Sequence, residues 1–198
     1  MRTTAEQLRA DARGNRDQIL NAALDAFRDH GTEVPMKEIA DRAGVGVGTL
    51  YRRFPDRDAL IVGVSHAHLS RLADLATAAS DAEPTAWAAL TRFLGECLEL
   101  RLGALASAIE PTLHRAIKVH ADLHEVRDRL TDRIDRMIEQ ARAAGDLRAD
   151  IPADDVKLLM TLQVYTGPGD PDPAAAARVL RIVLDGLRPP GQRAATHE

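Results

Sequence analysis

Apolar side chains recur at intervals of three and four along nearly the whole chain, and no long stretch alternates with the period of two that marks a strand. Ile19, Leu20, Ala23, Leu24 and Phe27 form the stripe of an amphipathic helix from about Arg16 to His30, with Gly31 as its terminator. Pro35 sits where a first-turn proline is tolerated, and Met36 to Ala43 then reads as two turns with Ile39, Ala40 and Ala43 inward, ended by Gly44. A third short helix covers roughly Val47 to Phe54, with Val47, Leu50 and Phe54 on one side. Pro55 and Asp56 stop it and cap a fourth, which starts near Arg57 and runs past Leu75 on Leu60, Ile61, Val64, Leu69 and Leu72.

SDAEPT, residues 80–85, predicts a break, followed by helices at about 85–102, 104–118, 121–144, 153–166 and 174–188. The 121–144 helix has the clearest pattern: Leu123, Val126, Leu130, Ile134, Met137, Ile138 and Ala141 hold the period until Gly145. Pro152 with Asp154 and Asp155 is a helix-start signal, the acids lying near the positive end of the macrodipole. TGPGDPDP, residues 166–173, is too rich in proline and glycine to be helical, and RPPGQRAATHE after Leu187 reads as a disordered tail. The expected fold is therefore all-α: a flexible arm over 1–15, a three-helix unit over 16–62, a larger helical domain over 63–188 and a tail over 189–198.

Composition narrows the setting. The 198 residues are 45% hydrophobic but only 3% aromatic, so aliphatic side chains must build the core. The lone cysteine, Cys97, allows no intrachain disulfide, and a reducing, cytoplasmic location is expected. No apolar run reaches the ~18 residues of a membrane span, and the N-terminus lacks the apolar core of a secretory signal. A formal charge of −4 argues against a general nucleic-acid coat, but specific binding needs only a local patch. Residues 1–62 hold ten basic and ten acidic side chains; within them Arg52, Arg53 and Arg57 are crowded together, and the arm adds Arg2, Arg9, Arg13 and Arg16.

Helix, short helix, glycine turn, short helix is the helix-turn-helix plan. Gly44 supplies the positive φ the turn needs, and Val45 is placed to plug the angle between the second and third helices. A third helix of about eight residues spans roughly 12 Å, comparable to the width of the major groove. With Leu50 and Phe54 inward, Gly48, Thr49, Arg52 and Arg53 face away and Tyr51 lies at the edge, open to either core or DNA contact.

RDQILNAALDAFRDHG, MKEIADRAGV, GTLYRRF and DRDAL, in that order and spacing across residues 16–60, resemble the DNA-binding domain of the tetracycline-repressor (TetR) family of bacterial transcription regulators. GDLRADIPADDVKLLM and RVLRIVLDGLRP are similar to passages in the family's second domain. The resemblance implies a homodimer paired through the helices near 153–166 and 174–188, a double-stranded DNA operator and a small-molecule effector, with no cofactor and no membrane association. By position it implies that Lys37 reaches a phosphate or base edge, that Gly48 lets the backbone approach, and that Thr49 and Tyr51 contact phosphates or thymine methyls. Arg52 and Arg53 would enter the groove and Arg57 would hold a phosphate at a helix start. These roles suit the chemistry, since guanidinium groups bind guanine O6/N7 or phosphate bidentately. Three positions depart from the pattern. Gly46 and Val47 stand where many relatives carry polar residues, and Pro35 replaces a capping threonine.

Other chemistry is sparse. His120, Asp122 and His124 place two histidines on one helix face, but no third ligand is evident, so no metal site is assigned. Cys97 among Phe93, Leu94 and Leu100 reads as a small apolar core residue or a thiol sensor. Trp87, Phe93, Cys97, His114, Gln163 and Tyr165 are candidates for lining a ligand cavity, and each also suits plain core. No nucleophile elbow, phosphate loop or zinc-hydrolase helix is present, so no catalytic residue is assigned. Two function classes follow: a ligand-responsive DNA-binding regulator, expected to be a repressor, and a helical ligand-binding or protein-interaction module with a vestigial DNA-binding head.

Overall fold

The computed structural model describes residues 4–99, 116, 119–162 and 173–192, with backbone alone at 4–13, 173 and 192. Among the described residues there are eight α-helices, two 3-10 turns and no strand. The helices are α1 (Thr4–His30), α2 (Met36–Arg42), α3 (Val47–Arg53), α4 (Arg57–Ala82), α5 (Ala86–Glu99), α6 (Ala121–Ala143), α7 (Ala153–Leu158) and α8 (Pro173–Leu187). The chain divides into two compact units. One holds residues up to Leu69 with 107–124, the other residues 70–106 with 125–198.

In the first unit α1 buries Ile19, Leu20, Ala23, Ala26 and Phe27, and α2 sets Met36, Ile39 and Ala40 against them. Gly31, at φ 77°, ends α1, and its N–H donates to the Phe27 carbonyl. Gly44, at φ 65°, ends α2 in a Schellman motif: its N–H donates to the Asp41 carbonyl and that of Val45 to the Ala40 carbonyl. An L side chain at Gly44 would be strained, so the turn depends on glycine. Asp56 caps α4 as expected, its carboxylate accepting the Ala59 N–H at 2.7 Å. From α4, Leu60, Ile61 and Val64 complete this core.

In the second unit α5 buries Leu90, Phe93, Leu94 and Cys97, and α6 buries the stripe Val126, Leu130, Ile134, Met137, Ile138 and Ala141. Helix α8 lies against α5 and buries Leu180, Leu184 and Leu187. Lys157 of α7 reaches Asp135 of α6 at 2.9 Å, while the Arg148 N–H donates to the Leu187 carbonyl at 3.0 Å. Gly145 repeats the Schellman ending at the end of α6, with φ 78°.

Several sequence expectations change. Of the arm expected over 1–15, residues 4–15 belong to α1: Ala5, Glu6, Gln7, Leu8, Arg9 and Ala10 all favour helix, and nothing between them and Gly14 breaks it. The break at 80–85 begins only after Ala82, because the Ser80 hydroxyl donates to the Ala76 carbonyl and stays within the helix. The helix expected over 153–166 is an α-helix only to Leu158, tightens to 3-10 over Leu159–Thr161, and gives way to extended backbone at Leu162. Residues 163–166 of that expected helix lie outside the described residues. The tail expected over 189–198 opens with a 3-10 turn at Pro190–Gln192. Of the helix expected over 104–118 only Ala116 is described, and it is helical; of the loop expected over 166–173 only Pro173 is described, as the first residue of α8. No helix among the described residues is long and apolar enough to cross a membrane.

Candidate nucleic-acid interface

Leu50 is the one fully buried side chain of α3. Phe54, in extended backbone (φ −133°, ψ 94°) at its C-cap, is the second anchor, only 2% exposed. A helix pinned at its middle and its end leaves the rest of its surface outward. The first turn is capped by main chain alone. Gly46 makes no side-chain cap, and its carbonyl accepts the N–H groups of Thr49 (2.8 Å) and Leu50 (3.2 Å).

Gly48, Tyr51, Arg52 and Arg53 are exposed on α3 and Thr49 is half-buried. Tyr51, open to core or surface on sequence grounds, is 47% exposed. The Arg52 guanidinium donates to the Thr49 hydroxyl at 3.1 Å, so two of the residues expected at DNA hold each other. Arg53 makes no hydrogen bond or ion pair among the described residues. Lys37, exposed at the start of α2, pairs with Asp41 at 3.0 Å. An exposed i,i+4 pair of this kind is worth only a few tenths of a kcal/mol, which leaves the amine available to a phosphate.

Arg57 stands differently from its expected role. It is half-buried, and its Nη1 donates to the Thr32 and Val34 carbonyls, tying the start of α4 to the loop that leads into α2. Arg16, assigned to the arm on sequence grounds, lies over the Phe54 ring at 5.3 Å from its centroid. Arg28 and Arg42 are committed to acids: Arg42 bridges Asp29 (3.1 Å) and Glu38 (3.3 Å), and Arg28 reaches Asp25 (3.0 Å). The Arg42 guanidinium, helped by Arg28, holds the Asp29 carboxyl below its ordinary pKa. Among the described residues Arg52 and Arg53, by contrast, meet no acid. The signal for Arg16 and Arg57 was unreadable in sequence, because both partners are distant in the chain.

The residues considered for a ligand cavity separate. Phe93 and Cys97 are core, 0% and 1% exposed, and burial, with a smaller contribution from Glu96, pushes the Cys97 thiol up to about 12. Trp87 lies at the edge of α5 with the Arg188 guanidinium over its ring at 5.1 Å, and it lines a cavity between α5 and α8. His114, Gln163 and Tyr165 lie outside the described residues. His120 and His124 are exposed, and among the described residues no three His, Cys, Asp or Glu side chains are placed to hold a metal ion.

Residues 19–64 match the bacterial regulatory proteins of the tetR family, and residues 83–189 match the transcriptional regulator SbtR-like C-terminal domain. The chain is 35% identical over 146 residues to the HTH-type transcriptional repressor KstR of Mycobacterium tuberculosis, across 70% of this chain and 63% of that repressor's length. HTH-type transcriptional regulators of Staphylococcus aureus are 43% identical over 54 residues, 27% of this chain and 29% of theirs. Among solved structures, a TetR transcription regulatory protein from Mycobacterium vanbaalenii is 33% identical with a TM-score of 0.66, covering 92% of this chain and 99% of that one. A TetR transcriptional regulator from Streptomyces coelicolor is 31% identical with a TM-score of 0.62, covering 88% and 99%.

Proposed function

The chain belongs to the TetR family of bacterial transcriptional regulators, and from that membership we propose that it is a dimeric repressor released from its operator by a small molecule. The observation that carries the DNA-binding part is the outward row on α3: Tyr51, Arg52 and Arg53 stand exposed on a helix that buries only Leu50. A guanidinium on such a row can take guanine O6 and N7 together, while Thr49 and Tyr51 can donate to phosphates. Gly46, Val47 and Gly48 add no side-chain donor, so base discrimination falls on the arginines, with Lys37 beside them. A guanine-containing half-site is the expected target.

Two subunits would present their α3 helices to successive major grooves, about 34–36 Å apart. The exposed Leu158, Val179 and Ile182 support pairing through α7 and α8. A ligand that prefers a subunit spacing unsuited to DNA would shift the population by its difference in affinity for the two states. Repression by the similar KstR supports the negative sign. Enrichment of duplexes from a random pool, followed by footprinting, tests the reading. Recovery of a two-fold-symmetric site with guanine beneath each α3 is expected. Failure to enrich any duplex with the dimer intact would instead mark a vestigial head.

A further inference from the structure

Between α5 and α8 lies a cavity of about 350 Å³, within the range of small-molecule sites. Its walls are mostly apolar, built on Trp87, Leu180 and Leu184. Three features of its polar lining are unusual for a packing defect. The Thr91 hydroxyl is buried in the wall with no hydrogen-bond partner, a costly condition for a polar atom that a ligand would relieve. Arg181 lines the same cavity, is exposed, and makes no hydrogen bond or ion pair among the described residues. Arg188, also on the rim, lies over the Trp87 ring at 5.1 Å. Asp185 is the one carboxylate in the lining, so the two guanidinium groups leave the mouth net positive.

We propose that this cavity binds a small organic acid, its alkyl or aryl body against Trp87, Leu180 and Leu184 and its carboxylate at Arg181 beside Arg188, with the Thr91 hydroxyl as a further donor. The apolar walls select the body and the positive mouth selects the anion. Val179 and Ile182 occupy the other side of α8 by helical periodicity, so pairing through them leaves the mouth open. The proposal deepens the ligand-responsive reading above and rests on it for any effect on DNA, while binding stands on the cavity alone.

Trp87 is the only tryptophan in the chain, so its fluorescence reports this site directly. The test titrates the full-length protein with octanoate and with phenylacetate, and with octanol as the uncharged control, following Trp87 emission and checking stoichiometry by calorimetry. Saturable binding of at least one acid, one per chain, is expected, with octanol weaker by about tenfold or more, the value of one charge-assisted hydrogen bond. Arg181→Gln should weaken the acid by a similar factor without moving octanol, and Thr91→Val, close in shape, should weaken it several-fold. Because Arg181 is exposed, the variant's unfolding temperature should match the parent's, which separates lost binding from lost folding. Absence of saturable binding by either acid, equal binding of acid and alcohol, or no effect of Arg181→Gln would each overturn the site. Adding the acid to the complex with the selected operator separates the two readings. Binding that leaves that complex intact upholds the site and removes its part in release.

Discussion

The Phe54 ring lies so close to Gly63 that a methyl group on Gly63 would sit 2.7 Å from Cε1 and 3.1 Å from Cδ2 of Leu20. Phe54 ends α3 and Gly63 lies on the second turn of α4, so this contact seats one helix on the other. The ring is buried, with Arg16 over it, and has little room to give way. Gly63→Ala should therefore destabilise the protein. Overpacking costs about 1–3 kcal/mol, against a gain of up to roughly 1 kcal/mol in helix propensity. Thermal unfolding should show a fall of about 2–4 °C per kcal/mol of net loss. An unchanged or higher midpoint would mean that the ring moves freely.

Arg57→Ala should lower stability by about 1–3 kcal/mol, since two main-chain carbonyls lose a charged donor. Because Nη1 of Arg57 points to Thr32 and Val34, the salt dependence of DNA binding should keep its slope. A slope reduced by about one, with stability intact, would instead give Arg57 the phosphate role that the family resemblance implied. Urea unfolding and gel-shift titrations over a range of salt distinguish the two.

Arg53→Ala should cost about 1–3 kcal/mol in specific binding and relax the base preference beneath it. The fold should be unaffected, because Arg53 is exposed and has no described partner. Competition between the selected duplex and single-base variants measures this. Uniform weakening across all variants would make Arg53 a phosphate contact.

Ile182→Asp should yield folded monomers. Ile182 is 71% exposed within one chain, so the charge costs the subunit little, whereas in a subunit interface it would be buried without a partner. Sedimentation velocity over a wide concentration range reads the outcome. A dimer as tight as the parent's would move the pairing surface off this face.

Cys97 should resist alkylation in the native protein and react once it is unfolded. Burial raises the folded thiol pKa from 9.0 to about 12, so the reactive thiolate is suppressed. The linkage has a definite sign. The raised folded pKa contributes stability that is complete below pH 9.0, where the unfolded thiol is also neutral, and that is lost as pH rises toward 12. Rapid labelling under native conditions would show that α5 opens locally, and would restore the thiol-sensor reading.

Much of the helix-turn-helix was legible in sequence because its signals are local. Gly44 marked the turn, Asp56 the next cap, and the spacing of Leu50 and Phe54 turned Arg52 and Arg53 outward. Where sequence reading erred, the deciding contact was distant or the helix end had no strong punctuation. Arg16 read as part of a loose arm because its partner, Phe54, is far along the chain. The hydrogen bonds from Arg57 to the Thr32 and Val34 carbonyls were out of reach of the sequence, because those carbonyls carry no sequence signature. The helix from Ala153 ends early, between residues with no glycine or proline to announce it.

By itself, then, the sequence determined the all-helical class, the helix-turn-helix order and the residue types on the outer face of α3, because period, caps and glycine turns act within a few residues. Only the tertiary structure decided which arginines, Arg16 and Arg57 among them, are drawn into contacts within the protein. It also brought Trp87 and Thr91 of α5 up to Arg181 and Arg188 of α8. That choice depends on which main-chain carbonyls, rings and carboxylates folding brings within reach, and local spacing carries no record of them.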